Sequence, residues 1–561
     1  MELRDRASPR LTAALVAALA FLLLSASGAG AASDLKLPAS QTKPPRFFKR
    51  SARQVIRIAN GARKVHQETH DRGHRLRPTA YTKGFGVWQV SYFDRREEAV
   101  QVRIDDQTGA ILEQWRGPQV AWTMARGYPG AFGRSLNTPY VWIPLCVLFL
   151  APFVDPRRPF RLLHLDLLVL LAFGVSHIFF NEGEIGVSVP LAYPVLVYLL
   201  VRMLIAGFRP RGRSGPLVPL VPVWLLAAGV LFLGIFRIGL NVTDSNVIDV
   251  GYAGVIGADR IVDGHHLYGK GFSADVEHGD TYGPVNYLLY VPFEQAMPWS
   301  GRWDDLPAAH GAAITLDLLT MGGLFLLGAR LRRGPEGQLL GTALAYAWAA
   351  YPYTAFSLET NSDDSVVALF CVAALLGLTV PRRRLSALAT GAATALGAAA
   401  KFVSLALAPL FAPRRRSELV VYALALAAVL AATVLPFVPH GGLRELYDRT
   451  VGYQAGRPSP FSIWGQEPGL EWLQTTVKAA TAALALLVAL LPRQRDLRQI
   501  AALGAAVVIG VQLGITHWFY LYVVWFVPFV LVALFGGERR PEPSEPPAAR
   551  AEPPRAEAVP A

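Results

Sequence analysis

Cysteine is almost absent from this 561-residue chain, which has only Cys146 and Cys371, and both lie inside apolar runs. This scarcity excludes a disulfide framework and a cysteine-based zinc site. Charged residues are also few, at 17% of the chain against 52% hydrophobic residues. Long stretches with almost no charge suit a lipid bilayer better than a soluble core. We therefore expect an α-helical polytopic membrane protein.

The net charge of +13 does not indicate a nucleic-acid partner. Its arginines stand in short clusters between apolar runs, and they form no continuous basic face on one soluble helix or strand. Arginine clusters of this kind mark the cytoplasmic ends of membrane spans. The clusters are Arg157, Arg158 and Arg161; Arg209, Arg211 and Arg213; Arg330, Arg332 and Arg333; Arg382 to Arg384; Arg493, Arg495 and Arg498; and Arg539 and Arg540.

About 11 apolar runs follow Pro139, each close to the length that a spanning helix needs. They cover residues 139–154, 162–180, 188–207, 216–238, 308–329, 338–357, 364–380, 418–438, 473–491, 499–515 and 519–535. A further run, Leu385 to Pro413, has arginines at both ends, which predicts a re-entrant hairpin whose tip lies near Ala400 and Lys401. This tip must be buried in protein or face a water-filled cavity.

The N-terminus has the three parts of an export signal: Arg4, Arg6 and Arg10, then the apolar run Leu11–Leu24, then small residues as far as Ala32. We therefore interpret residues 1–33 as a signal peptide or signal anchor. Residues 34–135 then form a small α+β domain outside the cytoplasm. Residues 136–215 are additional transmembrane helices, 216–537 a transmembrane catalytic domain, and 538–561 a disordered cytoplasmic tail rich in Pro, Glu and Ala.

Within the exported domain, Ala52–His66 has helical spacing, and Trp88–Tyr92 and Val100–Ile104 alternate as strands do. The strands end in the turn D-x-x-T-G-x-x-L-E from Asp105 to Glu113. This order resembles the PepSY domain of exported and membrane-anchored proteins.

The first large loop beyond the membrane, within 239–307, holds seven acids against two bases between Asn241 and Tyr290. An acidic loop is by itself most simply a solvated loop. Asp249, however, begins a stretch with helical spacing that would lie at the membrane surface, where low dielectric raises the pKa of a carboxylate toward that of a useful base. The same alternation places the 439–472 loop and the turns Asn181–Gly186, Glu359–Asp364 and Thr516–Trp518 on this side.

Three spaced patterns follow the span at 216–238: D-x-x-Y at Asp249–Tyr252, G-x-x-L-Y at Gly264–Tyr268, and Y-x-P at Tyr282–Pro284 with a later proline, Pro292. They resemble the first outside loop of the GT-C glycosyltransferases, in particular the bacterial family that uses polyprenyl-phosphate mannose. The resemblance implies a sugar moved from a polyprenyl phosphate to an envelope glycolipid or polysaccharide, on the outer face of the bacterial plasma membrane. Asp249 matches the loop base of that family, and Asp244 is the reserve candidate.

Further residues become candidate substrate ligands on this hypothesis: Tyr252, Tyr268, Tyr282, Tyr287, Lys401, Arg457, Trp464 and His517. A lysine in an apolar hairpin costs roughly 2.5 to 3.5 kcal/mol on insertion unless it is paired or wetted. Lys401 is therefore either a salt-bridge partner of a buried acid such as Asp317 or a clamp on the carrier phosphate. His517 has an alternative as an interfacial anchor, which is the commoner role of a histidine flanked by aromatic residues at a membrane interface.

Two questions stay open in the sequence. Asp363 and Asp364, together with Asp249, have the oxygen ligands that a divalent cation prefers, so a metal ion is a possible cofactor. The function also has alternatives from other classes, namely a lipid or lipid-linked-sugar flippase and a non-catalytic envelope assembly factor. Paired broken helices in two related halves would favour a transporter, but the sequence has one hairpin and no evident repeat.

Overall fold

We describe the protein from a computed structural model covering residues 35–95, 97–127, 132–209, 219–273, 276–467 and 469–536. The signal segment 1–33 and the tail 538–561 lie outside these residues. So do Arg211, Arg213, Arg539 and Arg540 of the predicted arginine clusters, and Asp275 of the acidic loop.

The N-terminal part is a five-stranded antiparallel sheet in which each strand pairs with the next along the chain. Trp88 faces Ile104 and Val90 faces Val102 across the central pair, so the alternating apolar side chains share one buried face. The strands are β1 (Leu35–Lys36), β2 (Arg77–Lys83), β3 (Val87–Asp94), β4 (Glu97–Asp105) and β5 (Ile111–Arg116). The predicted strands at Trp88–Tyr92 and Val100–Ile104 are β3 and β4.

Two helices cover this sheet where the spacing predicts one. The helix predicted over Ala52–His66 is divided into α1 (Ala52–Asn60) and α2 (Arg63–Arg72), so the single-helix prediction is wrong. The division occurs because Ala62 has extended backbone dihedrals. The turn at Asp105 has the predicted chemistry, since the Asp105 carboxylate accepts a hydrogen bond from the Thr108 backbone N–H (2.7 Å) and Gly109 adopts a φ of +78°.

The remainder of the chain is helical. Each of the predicted apolar runs coincides with one or more helices. Seven helices, Leu162–Asn181, Ile185–Phe208, Val223–Asp244, Pro307–Leu331, Arg416–Phe437, Glu471–Leu490 and Leu497–Gly514, are long and apolar enough to cross a membrane. Shorter apolar helices lie at Pro139–Leu150, Ser365–Leu378, Phe402–Phe411 and Tyr520–Phe535. The protein is therefore a helical, membrane-embedded chain, and the count of about 11 spans remains a prediction.

In chain order, the helices after the sheet have the following bounds. They are α3 (Pro118–Ala121), α4 (Pro139–Leu150), α5 (Leu162–Asn181), α6 (Ile185–Phe208), α7 (Val223–Asp244), α8 (Asp249–Val262), α9 (Pro284–Leu288), α10 (Val291–Ala296), α11 (Pro307–Leu331), α12 (Gly334–Ala350), α13 (Pro352–Glu359), α14 (Ser365–Leu378), α15 (Arg383–Ala400), α16 (Ala408–Phe411), α17 (Arg416–Val434), α18 (Gly442–Tyr447), α19 (Tyr453–Gly456), α20 (Ile463–Gln466), α21 (Glu471–Leu490), α22 (Leu497–Gly514) and α23 (Val523–Phe535).

The connections between helices gather at two ends. Arginine-bearing connections contact one another at one end, where Arg414 donates to the Leu490 carbonyl (3.0 Å) and Arg495 to the Leu410 carbonyl (2.6 Å). We call the opposite end the loop end. There the backbone N–H of Asn246 donates to the Glu359 carbonyl (3.1 Å). The predicted alternation of arginine-rich and arginine-poor connections agrees with this grouping.

The predicted interruption at Ala400 and Lys401 is confirmed as the end of a long helix. Helix α15 ends at Ala400, and Phe402–Leu407 continues as a tighter 3-10 turn before α16. The Lys401 side chain is buried and lies at the loop end, where the Gly283 backbone N–H donates to the Ala400 carbonyl (3.0 Å).

The sheet domain rests on the loop end through the segment that follows β5. Gln119 donates hydrogen bonds to the Ala125 carbonyl and to the Gly183 carbonyl, both at 3.1 Å. Gly127 and Gly183 pack so closely that a Cβ on Gly127 would lie 2.1 Å from the Gly183 nitrogen. The sheet domain and the turn between α5 and α6 thus pack directly against each other.

Candidate active site at the loop end

Asp249 is the first residue of α8, and the loop before this helix is fixed by backbone hydrogen bonds. The Ile248 backbone N–H donates to the Thr360 carbonyl (3.1 Å). One turn into α8, a Cβ on Gly251 would lie 2.4 Å from the Asn361 carbonyl oxygen, so the helix approaches the turn after α13 more closely than a larger residue permits. The position of Asp249 is therefore set by the turn that also carries Asp363 and Asp364.

The Asp249 carboxylate is open to water, yet protein surrounds it closely. This desolvation raises the pKa of Asp249 above its ordinary value, and the charge of Asp364 acts in the same direction. Arg457 and Lys401 oppose the rise, and Arg457 has the larger effect of the two. Asp249 thus has two cations, Arg457 and Lys401, and a further carboxylate, Asp364, within electrostatic reach. A water-accessible carboxylate with a raised pKa has the properties of a general base.

Lys401 lies between two buried carboxylates. Its ammonium nitrogen is 2.6 Å from Oδ1 of Asp363 and 2.6 Å from Oδ1 of Asp364. The Trp525 indole N–H donates to Asp364 Oδ1 (2.9 Å), and the Ser362 hydroxyl donates to the other Asp364 oxygen. The predicted salt bridge between Lys401 and a buried acid is therefore present. Its partners are Asp363 and Asp364, and the suggested partner Asp317 was wrong.

Asp317 pairs with a different cation deeper in the helices. Nη2 of Arg237 is 2.7 Å from Asp317 Oδ1, which also accepts a hydrogen bond from the Trp348 indole (2.8 Å). Both charged side chains are almost completely buried. The sequence offered Asp317 as a partner for Lys401 because it contains no signal for the Arg237 contact across 80 residues.

The Tyr282-Gly283-Pro284 segment covers Lys401. The Lys401 ammonium lies 5.0 Å from the centre of the Tyr282 ring, which is a cation–π distance. A Cβ on Gly283 would lie 2.0 Å from the Ala399 carbonyl oxygen, so only glycine permits this approach to the end of α15. The Y-x-P pattern thus has a physical role, because Gly283 lets the chain approach α15 closely enough for the Tyr282 ring to lie over Lys401.

Two further predicted tyrosines hold this segment in place. The Tyr268 hydroxyl donates to the Tyr282 carbonyl (2.8 Å), and the Tyr287 hydroxyl donates to the Gly279 carbonyl (2.5 Å) and accepts from the Tyr282 backbone N–H (3.2 Å). Both rings are buried. These hydrogen bonds indicate that Tyr268 and Tyr287 hold Tyr282 in place. Direct contact between either tyrosine and a substrate stays a prediction.

Arg457 and His517, both predicted as substrate ligands, lie side by side. The Arg457 guanidinium is 3.3 Å from the His517 ring nitrogens, and the Ser459 hydroxyl is 2.9 Å from His517 Nδ1. Burial and the charge of Arg457 lower the pKa of His517, so its ring is neutral at pH 7. Within the described ranges no carboxylate forms an ion pair with Arg457, and its buried Nε has no hydrogen-bond partner. Arg457 therefore has no carboxylate in direct contact, and it acts on Asp249 through its charge.

The aromatic residues Trp122 and Tyr522 complete this arrangement. The Arg457 guanidinium carbon lies 5.0 Å from the centre of the Trp122 ring, and the Trp122 and His517 ring centres are 5.6 Å apart. Tyr522 stacks on Trp525 at 4.2 Å and lies 6.3 Å from His517, so it joins the Lys401 group to the Arg457 group. Sequence reasoning did not select either residue. The signal that could have identified Trp122 is its place in the sequence, since it is a tryptophan between the sheet domain and the first apolar run.

Three predicted site residues lie apart from this group. Asp244 accepts a hydrogen bond from the Ser135 backbone (3.2 Å) and lies 3.9 Å from an Arg134 guanidinium nitrogen, so it is engaged by the segment before α4. Tyr252 packs against Trp303 at 4.7 Å in a separate apolar cluster. The Trp464 indole donates to the Leu513 carbonyl (2.9 Å) and fixes α20 to the end of α22.

The geometry also bears on the candidate cation site at Asp363 and Asp364. Among the described residues, no group of three or more His, Cys, Asp or Glu side chains is close enough to hold a metal ion. The Lys401 ammonium occupies the position between the two carboxylates where a bridging cation would bind. These two residues therefore do not fit a metal while Lys401 is in place.

No protein-family model matches the chain, and no curated protein is similar enough to be a relative. The candidate site therefore stands on its geometry and on the sequence resemblance alone.

Proposed function

We propose that the protein is a glycosyltransferase that takes its sugar, mannose by the resemblance, from a polyprenyl-phosphate donor. The acceptor is an envelope glycolipid or polysaccharide. The loop end faces the exterior of the bacterial plasma membrane, where the export signal and the arginine clusters would place it.

The observation that carries the proposal is the pairing of a water-accessible carboxylate, Asp249, with a cation that lacks a carboxylate partner, Arg457. A donor of this class needs both groups, because a base must act at the acceptor hydroxyl and a cation must stabilise the departing phosphate. Lys401 already has two carboxylates at 2.6 Å. Arg457 is therefore the stronger candidate for the phosphate, and Lys401 fixes the carboxylate-bearing turn beside it.

The reaction is a displacement at the anomeric carbon of the donor. The Asp249 carboxylate accepts the proton of the acceptor hydroxyl as that oxygen bonds to the anomeric carbon. The bond from this carbon to the phosphate oxygen breaks, and the electron pair leaves with the polyprenyl phosphate. The leaving group is a stable anion, so it needs no general acid, and the planar guanidinium of Arg457 suits its oxygens. The Trp122 and Tyr522 rings offer faces on which a sugar stacks.

Transfer from labelled polyprenyl-phosphate sugars by the purified protein tests the proposal. We expect Asp249→Asn to lower the rate by at least two orders of magnitude, within the range that loss of a positioned base produces. Asp244→Asn is the matched control, because it removes a carboxylate of the same loop that is engaged with Arg134. A well-folded Asp249→Asn variant with the normal rate would overturn the mechanism, and equal losses in both variants would remove the special role of Asp249.

A further inference from the structure

A cleft of about 1050 Å³ opens between the exported domain and the loop end of the helices. One wall is formed by α2 and by the end of β5, including Lys64, Glu68 and Trp115. The opposite wall is the turn between α5 and α6, from Glu182 to Gly186, together with Pro458–Pro460. The cleft is therefore shared by two parts of the chain that the sequence predicted to be separate domains.

The cleft ends at the candidate active site. Trp122 and Ser459 both line it, and both also contact His517. The guanidinium carbon of Arg457 lies 5.0 Å from the centre of the Trp122 ring. A molecule that fills the cleft thus reaches Trp122 and Ser459, the two lining residues that contact His517, and Trp122 also contacts Arg457.

The chemistry of the walls restricts the class of occupant. Both basic and acidic side chains line the α2 wall, namely Lys64, Arg72, Glu68 and Asp71. Mixed charge suits neither an acyl chain nor a polyanion, because the first needs an apolar lining and the second a basic one. Charged groups and amides together suit a chain of sugars, whose hydroxyls both donate and accept hydrogen bonds. The Trp115 and Trp122 rings, which lie against Lys64, Arg126 and Arg457, add apolar contact area.

We propose that this cleft is the acceptor subsite and that it binds a polyhydroxylated glycan chain, whose end it presents to Asp249. The role of this glycan as the acceptor rests on the proposed function. The binding of a glycan in the cleft does not depend on that function. The exported domain is accordingly part of the substrate site and forms one of its two walls.

Gly186 offers a way to fill the cleft without disturbing the fold, because a Cβ added there meets no heavy atom within 4 Å. The probes are neutral hexasaccharides, namely a mannan, a glucan, a galactan and an arabinan, titrated calorimetrically into the full-length protein in lipid nanodiscs. We expect at least one to bind, and Gly186→Trp to weaken it at least tenfold. Gly234→Trp is the matched control, since its Cβ also meets nothing within 4 Å but lies on α7, away from the cleft.

Ala121→Trp fills the cleft from the other wall and provides a second variant in case Gly186→Trp does not fold. Binding of none of the four probes, or equal affinity in the wild type and both cleft variants, would overturn the proposal. Cleft-dependent binding without any sugar transfer by the wild type would instead leave the glycan site standing and remove the proposed glycosyltransferase activity.

Discussion

Replacing Lys401 by methionine should destabilise the protein in a way that depends on pH. The substitution keeps the length of the side chain and removes the charge that lies 2.6 Å from Asp363 and from Asp364. Breaking a buried ion pair by removing one partner typically costs about 3 to 5 kcal/mol. The loss should therefore be large compared with that of most single substitutions.

The cost of keeping Asp363 protonated gives a second estimate of the same free energy. Burial already raises the pKa of Asp363 to about 6, although Lys401 opposes the rise. Without Lys401 that pKa rises further, so the carboxyl keeps its proton to higher pH. Holding a carboxyl neutral at pH 7, against an ordinary value of about 3.9, costs about 4 kcal/mol.

The direction of the pH dependence follows from linkage. A carboxyl whose pKa is raised in the folded state binds its proton more tightly there than in the unfolded chain, so the free energy of unfolding falls as pH rises toward the folded pKa. For Asp363 in the wild type this fall ends near pH 6. In Lys401→Met it should continue to higher pH.

The assay is denaturant unfolding in detergent micelles at pH 6 and pH 8. Lys401→Arg is a control that keeps the charge, and the triple variant Lys401→Met, Asp363→Asn, Asp364→Asn removes all three charges. We expect a larger loss for Lys401→Met at pH 8 than at pH 6 and partial recovery in the triple variant. A loss below about 1 kcal/mol that does not change with pH would refute the reasoning.

Two further substitutions probe the site. Arg457→Gln removes a cation that lowers the pKa of Asp249, so the acid limb of the pH profile of kcat/KM should move to higher pH. A limb that stays in place or moves to lower pH would show that Arg457 does not act on the base. Gly283→Ala places a Cβ 2.0 Å from the Ala399 carbonyl oxygen and should cost about 1 to 3 kcal/mol of unfolding free energy, as overpacking does. Gly456→Ala, at a glycine with open space around it and no positive φ, is the control and should cost little.

The fold was predictable where apolar and polar residues alternate along a strand and not where this alternation is weak. Strands β3 and β4 carry large buried apolar residues at alternate positions, and both were predicted. Strand β2 has only Ala80 buried, and β5 has no fully buried residue, so neither has an apolar period to detect. Long apolar runs are a stronger signal, which is why every predicted run coincides with helix.

The sequence singled out several residues of the candidate site, but it did not predict how they pair, and their role in a site stays a prediction. Asp249, Tyr282, Lys401, Arg457 and His517 stand out as polar or aromatic residues at unusual places in an apolar chain. Which of them touch depends on helix packing, for which one sequence gives no measure. The sequence separation is 37 residues between Lys401 and Asp364 and 60 between Arg457 and His517.

The most direct test of the account is an experimental structure of the full-length protein with polyprenyl phosphate bound. The account predicts the phosphate at the loop end, with an oxygen about 2.7 to 3.2 Å from the Arg457 guanidinium, and the Asp249 carboxylate on the other side of the space that the sugar would occupy. A phosphate bound at the opposite end, among arginines such as Arg330 and Arg495, would contradict it.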